Sequence, residues 1–168
     1  MISRSRSPRV RLLSLKRLAR EIARLRRRPG TRVVLANGLF DLLHVGHVRY
    51  LKEARRLGTV LVVAVNDDRS ARGLRGPGRP IVGAADRARI VAAVEGVGYV
   101  VLFGSPTVVP LLRRLRPDVQ CKGTDYTEES VPERHVVRSY GGRVAIAGDR
   151  KAHATTDLIA RIRGRFGK

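Results

Sequence analysis

Apolar positions follow two alternating rhythms along the chain. Short runs rich in β-branched residues occur at "RVVLA" (32–36), "VLVVAV" (60–65), "YVVLF" (99–103), "DVQCK" (118–122) and "RVAIA" (143–147). Each is too short for a helix and too apolar for a loop, so each predicts a buried strand. Between them apolar residues recur at helical spacing over about 45–57, 85–96, 107–115, 128–139 and 155–163. Ahead of the first strand, Leu15, Leu18, Ile22 and Leu25 form one more helical stripe, with Ser14 as its N-cap and Pro29-Gly30 as its stop. The stripe predicts a helix that docks on the domain while its arginine face stays wet.

Strands alternating with helices build βαβ units, and these give a parallel sheet covered on both faces. The predicted fold is therefore α/β: a single Rossmann-like domain over 31–168, with a five-stranded parallel sheet. A basic tail and amphipathic helix occupy 1–30. In such sheets ligands bind beyond the carboxyl ends of the strands. The stretches that follow those ends are "NGLFDLLHVGH", "NDDRSARGLRGPGRP", "KGTDY" and "GDRKAHATT", and nearly every candidate polar group lies in them.

Length and composition narrow the classes. A chain of 168 residues with 43% apolar content can bury one proper core, and no apolar run approaches membrane-spanning length. The single cysteine, Cys121, excludes an internal disulfide and fits a reducing cytoplasm, the expected location. Charge adds a second theme. Thirty-five basic residues against 14 acidic ones give a net +21, a field that attracts polyanions such as nucleotide phosphates, RNA or anionic lipid. Few aromatics accompany it (three Phe, four Tyr, no Trp), so little is available to stack on exposed bases.

The chemistry concentrates in "HVGH". If a helix begins near His44, then His44 and His47 share one face of its first turn, where free N–H groups and the helix dipole favour phosphate. Gly46 lets a ligand approach the backbone. A zinc site would need further ligands, and His135, His153 and Cys121 lack ligand spacing. Two histidines merely capping the helix would not require the glycine or the preceding Asp41. Thr155 and Thr156 open the last predicted helix, where they form either an ordinary cap or a second phosphate cradle.

The stretch "NGLFDLLHVGHVRYLKEARRLG" resembles the HxGH nucleotidyltransferases, the family that holds the cytidylyltransferases and the sugar-1-phosphate adenylyltransferases. The resemblance continues in order through "VAVNDDRS", "LRGPGRPI", "AADRARIVAAVEGV", "KGTDY" and "HATTDLI", covering about 31–163. Its nearest group forms ADP-heptose from ATP and D-glycero-β-D-manno-heptose 1-phosphate, and this chain looks like the free-standing form. The resemblance implies direct in-line attack of the sugar phosphate on the α-phosphorus of ATP, with Mg²⁺ bridging the phosphates and pyrophosphate leaving. It makes His44, His47, Lys122 and Arg87 the catalytic candidates, Arg87 as a clamp on pyrophosphate. Asn37, Gly38, Phe40, Asp41, Gly46, Gly123, Asp125, Thr155 and Thr156 would meet the nucleotide or its phosphates. Asp41 is also a weak candidate helper to Mg²⁺. Asp68, Arg75 and Arg79 are candidates for the sugar phosphate. Two departures stand out: Ala154 where the family usually has Ser, and Thr124 where a second Gly is common.

Two other readings compete. A cytidylyltransferase using glycerol 3-phosphate would usually carry an arginine about two residues before the Ser-Thr-Thr segment, whereas here Arg150 and Lys151 come earlier, followed by "AHATT". A non-catalytic RNA-associated protein would explain the basic arm but not the histidines and hydroxyls at two helix starts. Enzymes of this group are often dimers, so a homodimer with the first helix at its contact is a further expectation.

Overall fold

The computed structural model describes residues 11–148 and 155–167. Strand β1 (Arg11–Leu12) and helix α1 (Leu15–Leu25) precede β2 (Val33–Gly38) and α2 (Val45–Arg56). Then follow β3 (Val60–Asn66), α3 (Asp68–Arg75), α4 (Ala84–Ala92), β4 (Tyr99–Phe103) and α5 (Val109–Leu115). The chain closes with β5 (Val119–Gly123), α6 (Arg134–Ser139), β6 (Arg143–Ala147) and α7 (Thr155–Phe166). The sheet is parallel throughout, in the order β1-β4-β3-β2-β5-β6. The five predicted strands are all present, and β1 adds a two-residue edge beside β4.

The strand order reverses at β2, which has β3 on one side and β5 on the other. Connections leave this point in opposite directions, so a crevice opens above it at the carboxyl ends. "NGLFDLLHVGH" leaves β2 there, and "KGTDY" leaves β5.

Period-two alternation splits the buried strands between two cores. Val34, Ala36, Leu61, Val63 and Val65 pack with Leu51, Ala54, Ala88 and Val91 under α2 and α4. Val33, Leu35, Val62 and Ala64 face the opposite layer, built from α1, α5 and α6. In that layer Leu18 and Ile22 are almost wholly buried. Ser14 caps α1, its Oγ accepting from the Arg17 amide at 3.4 Å. Removing the Leu18 side chain to give Leu18→Ala is expected to cost about 2–5 kcal/mol in urea unfolding. A loss below about 0.5 kcal/mol, the range of surface substitutions, would mean that α1 contributes nothing to the core.

Three elements differ from the sequence-based expectation. Asp68–Arg75 is helical rather than loop, because the Asp67 side chain caps it through the Ser70 amide at 2.7 Å and Gly76, at φ 85°, ends it. The helix expected over 128–139 is shortened to Arg134–Ser139. Thr127 and Ser130 bond each other locally, Thr127 N to Ser130 Oγ at 2.8 Å, and Pro132 removes a donor. Helix α4 stops at Ala92, before Gly96 at φ 89°.

Candidate active site

A cleft of about 890 Å³ opens over the switch point, with Asn37, Gly38, Phe40, His44, Gly46 and His47 on one wall and Lys122, Gly123, Thr124 and Asp125 on the other. Thr155 and Thr156 from the start of α7, and Arg75 and Arg79 from the segment after β3, complete it. The cationic side chains bordering it, Arg49, Arg75, Arg79, Lys122 and Arg163, outnumber its carboxylates, Asp41, Asp125 and Glu133. Two of those carboxylates are moreover paired with bases: Asp41 with Arg79 and Glu133 with Lys122. Such a surface favours a polyanionic ligand.

His44 is the N-cap of α2 and His47 its third residue. Their rings stack with centroids 3.9 Å apart, and Phe40 meets His47 edge-on at 5.2 Å. Phe40 sits at φ 51°, and a Cβ on Gly38 would lie 3.1 Å from its ring. Gly38 therefore leaves the space in which Phe40 can brace His47. The His44 backbone N–H donates to His47 Nδ1 at 3.4 Å. A neutral imidazole that accepts at Nδ1 carries its proton on Nε2, so His47 is left with one donor. Burial first, and then the neighbouring His44, lower its pKa to about 4, which keeps the ring neutral at physiological pH.

The sign of the pH dependence follows. As pH falls from about 6.5 toward about 4, the unfolded chain takes up a proton that the folded ring refuses, so stability declines across that window. Any acidic limb of activity set by His47 falls near pH 4. A limb near 6.5 that vanished in a His47 variant would contradict this environment.

On the opposite wall Lys122 is buried at the end of β5, its Nζ 3.4 Å from Glu133 and 5.2 Å from the centroid of the Tyr126 ring. Asn37 Oδ1 is buried and has no hydrogen-bond partner among the described residues, an acceptor that a ligand or water donor would satisfy. On α7, Thr155, Ile159 and Arg163 follow one another every four residues, and with Thr156 they border the cleft. Thr155 Oγ1 reaches the Leu42 carbonyl at 3.5 Å. Ala154 and His153 lie outside the described residues, as do Arg150 and Lys151.

Two candidates are not brought into the cleft. Arg87 is wholly buried. Its Nε donates to Val82 O at 2.8 Å, one terminal nitrogen to Leu39 O at 2.5 Å and the other to Asp68 Oδ1 at 2.8 Å. Three of its five N–H groups thus tie the 79–83 segment and the residue after β2 to α3, and the side chain braces the fold beneath the cleft. Asp68 faces Arg87 and does not line the cleft. Asp41, read as a weak helper to Mg²⁺, is also committed. Its Oδ1 accepts from the Ile81 and Val82 amides at 2.8 and 2.9 Å, and its Oδ2 lies 2.7 Å from Arg79 Nε in an ion pair. The described residues hold no cluster of three His, Cys, Asp or Glu that would seat a metal. Cys121 is fully buried, with its thiol pushed up to about 12 chiefly by that burial, so it offers no thiolate nucleophile.

Glu133, Asn66, Tyr50, Arg49 and Arg163 also border the cleft without having been singled out in the sequence. Asn66 ends β3 and was open to the carboxyl-end rule. Arg163 was open to the helical spacing from Thr155. Nothing local in the sequence marks Glu133.

The crevice at the strand reversal gathers what a polyphosphate needs, cations and neutral donors at a helix start, and this is the endowment of a nucleotide-handling α/β protein. Residues 35–162 match the cytidylyltransferase-like family, and the chain belongs to it: it is a nucleotidyltransferase. It is 46% identical over 154 residues to the bifunctional protein HldE of Syntrophotalea carbinolica, an alignment spanning 92% of this chain and 31% of that protein. To the protein of the same name from Geotalea uraniireducens it is 49% identical over 134 residues, or 80% and 27% of the two. The chain thus spans less than a third of the length of these relatives. Among solved structures, the lipopolysaccharide core biosynthesis protein from Thermoplasma volcanium aligns with a TM-score of 0.63 at 27% identity, over 73% of this chain and 100% of that one.

Proposed function

We propose that the chain transfers the adenylyl group of ATP to a sugar 1-phosphate, with D-glycero-β-D-manno-heptose 1-phosphate as the acceptor. An acceptor phosphate oxygen attacks the α-phosphorus in line, the bond to the β-phosphate oxygen breaks, and pyrophosphate leaves. The observation that carries this reading is His47, held neutral with its donor on Nε2 at the start of α2, in the crevice that Lys122 borders from β5.

Each residue then has a task. His47, with His44 stacked on it, donates to the α-phosphate oxygen that gains charge in the transition state. Lys122 balances that charge from the β5 side. The start of α7, with Thr155 and Thr156, cradles the phosphates that depart. Arg75 and Arg79 face the acceptor phosphate. No protein nucleophile is needed, so catalysis is positioning and charge stabilisation. Mg²⁺ enters with ATP as the counter-ion of the triphosphate. The choice of heptose rests on likeness in the "KGTDY" and "GRPI" stretches. No described helix is long and apolar enough to cross a membrane, and we assign the reaction to the cytoplasm, where ATP is supplied.

Pyrophosphate release tests the reading when Mg·ATP and Mg·CTP are crossed with the heptose 1-phosphate and glycerol 3-phosphate. Release confined to ATP with the heptose is expected. Release confined to CTP with glycerol 3-phosphate would replace both substrates while keeping the chemistry.

A further inference from the structure

The nearly buried carboxylate of Glu133 lines a cleft whose other features favour anions. A negative charge there repels phosphate, so its presence calls for a compensating role. Its contacts supply one. Glu133 Oε2 lies 3.4 Å from Lys122 Nζ and accepts a long bond from Gln120 Nε2 at 3.5 Å. Gln120 is wholly buried in β5, two residues before Lys122, and its Oε1 has no partner among the described residues. The carbamoyl group thus meets the carboxylate from the β5 side through its Nε2 donor. Tyr126 flanks the ammonium on another side.

We propose that Glu133 is a positioning residue for the transfer: anchored by Gln120, it sets where the Lys122 ammonium stands in the cleft. The inference rests on the reading of Lys122 as a phosphate ligand. The contact is ionic yet loose, at a distance from which a flexible ammonium can turn toward an incoming phosphate without leaving the carboxylate's field. Glu133 thus trades ground-state repulsion for an ammonium aligned in the transition state.

Glu133→Gln keeps the size and removes the charge. Its kcat is expected to fall at least tenfold, while KM for the phosphate substrates stays level or drops because the repulsion is gone. In the Lys122→Ala background the same change should have no further effect on kcat, since Glu133 acts through Lys122. Thermal unfolding of each variant checks that it folds. Gln120→Leu, which loosens the anchor without touching the cleft charge, should lower kcat less and likewise only when Lys122 is present. Direct titration with Mg·ATP separates binding from turnover. Additive effects of Glu133→Gln and Lys122→Ala, or a rise in KM at unchanged kcat, would overturn the positioning role while leaving Lys122 as a phosphate ligand. A Lys122→Ala enzyme with normal kinetics would remove the reading on which the inference rests.

Discussion

His47→Asn should lower kcat by about 10²–10³ while leaving the fold intact. Asparagine places its carbonyl oxygen near the position of Nδ1, so it can still accept from the His44 amide and preserve the start of α2. What it loses is the Nε2 donor. Because that donor is argued to strengthen its contact as charge develops on the α-phosphate, the loss should fall on kcat and little on KM. Thermal melting should stay within a few degrees of wild type. Equal losses in kcat and melting temperature would instead mean that the ring is mainly a packing group against Phe40 and His44.

Arg87→Leu should show the opposite profile, dominated by stability. The substitution strands the Val82 and Leu39 carbonyls and the Asp68 carboxylate, all of which the guanidinium satisfies. Breaking a buried pair costs about 3–5 kcal/mol, and the lower end applies because the Asp68 side chain is 46% exposed and water can solvate it. For a domain of this size about 3 kcal/mol corresponds to a fall in melting temperature of roughly 6–12 °C. Activity should fall as well, since the brace holds the segment that bears Arg79 and the loop that leads into "HVGH". An Arg87→Leu enzyme that melted normally but bound pyrophosphate poorly would restore the clamp.

The contrast between these residues shows what the sequence could and could not disclose. Strands such as 99–103 and 143–147 were legible to the residue because a strand buried on both faces needs an uninterrupted apolar run. The position of the cleft was legible too, since a parallel sheet directs its loops to one edge and "HVGH" and "KGTDY" both follow strands. Side-chain direction was not. Arg87 and Asp68 occupy cleft-adjacent positions in the chain, but they turn toward each other in an ion pair that joins α4 to the start of α3. Asp41 likewise serves the amides of Ile81 and Val82, partners about forty residues away that no local pattern reveals. Helix α3 was hidden because Gly73, Gly76, Pro77 and Gly78, residue types that ordinarily punctuate loops, crowd its end. The cap from Asp67, a tertiary-independent signal, was there to be read.

The most direct measurement is ³¹P nuclear magnetic resonance of the wild-type protein turning over Mg·ATP and D-glycero-β-D-manno-heptose 1-phosphate, followed in parallel with His47→Asn. The paired resonances of a sugar–nucleotide diphosphate should rise in step with pyrophosphate, and in the variant both should rise at least a hundredfold more slowly. Release of ADP and inorganic phosphate in place of those products, or equal rates in the two proteins, would contradict adenylyl transfer by the two-histidine cleft.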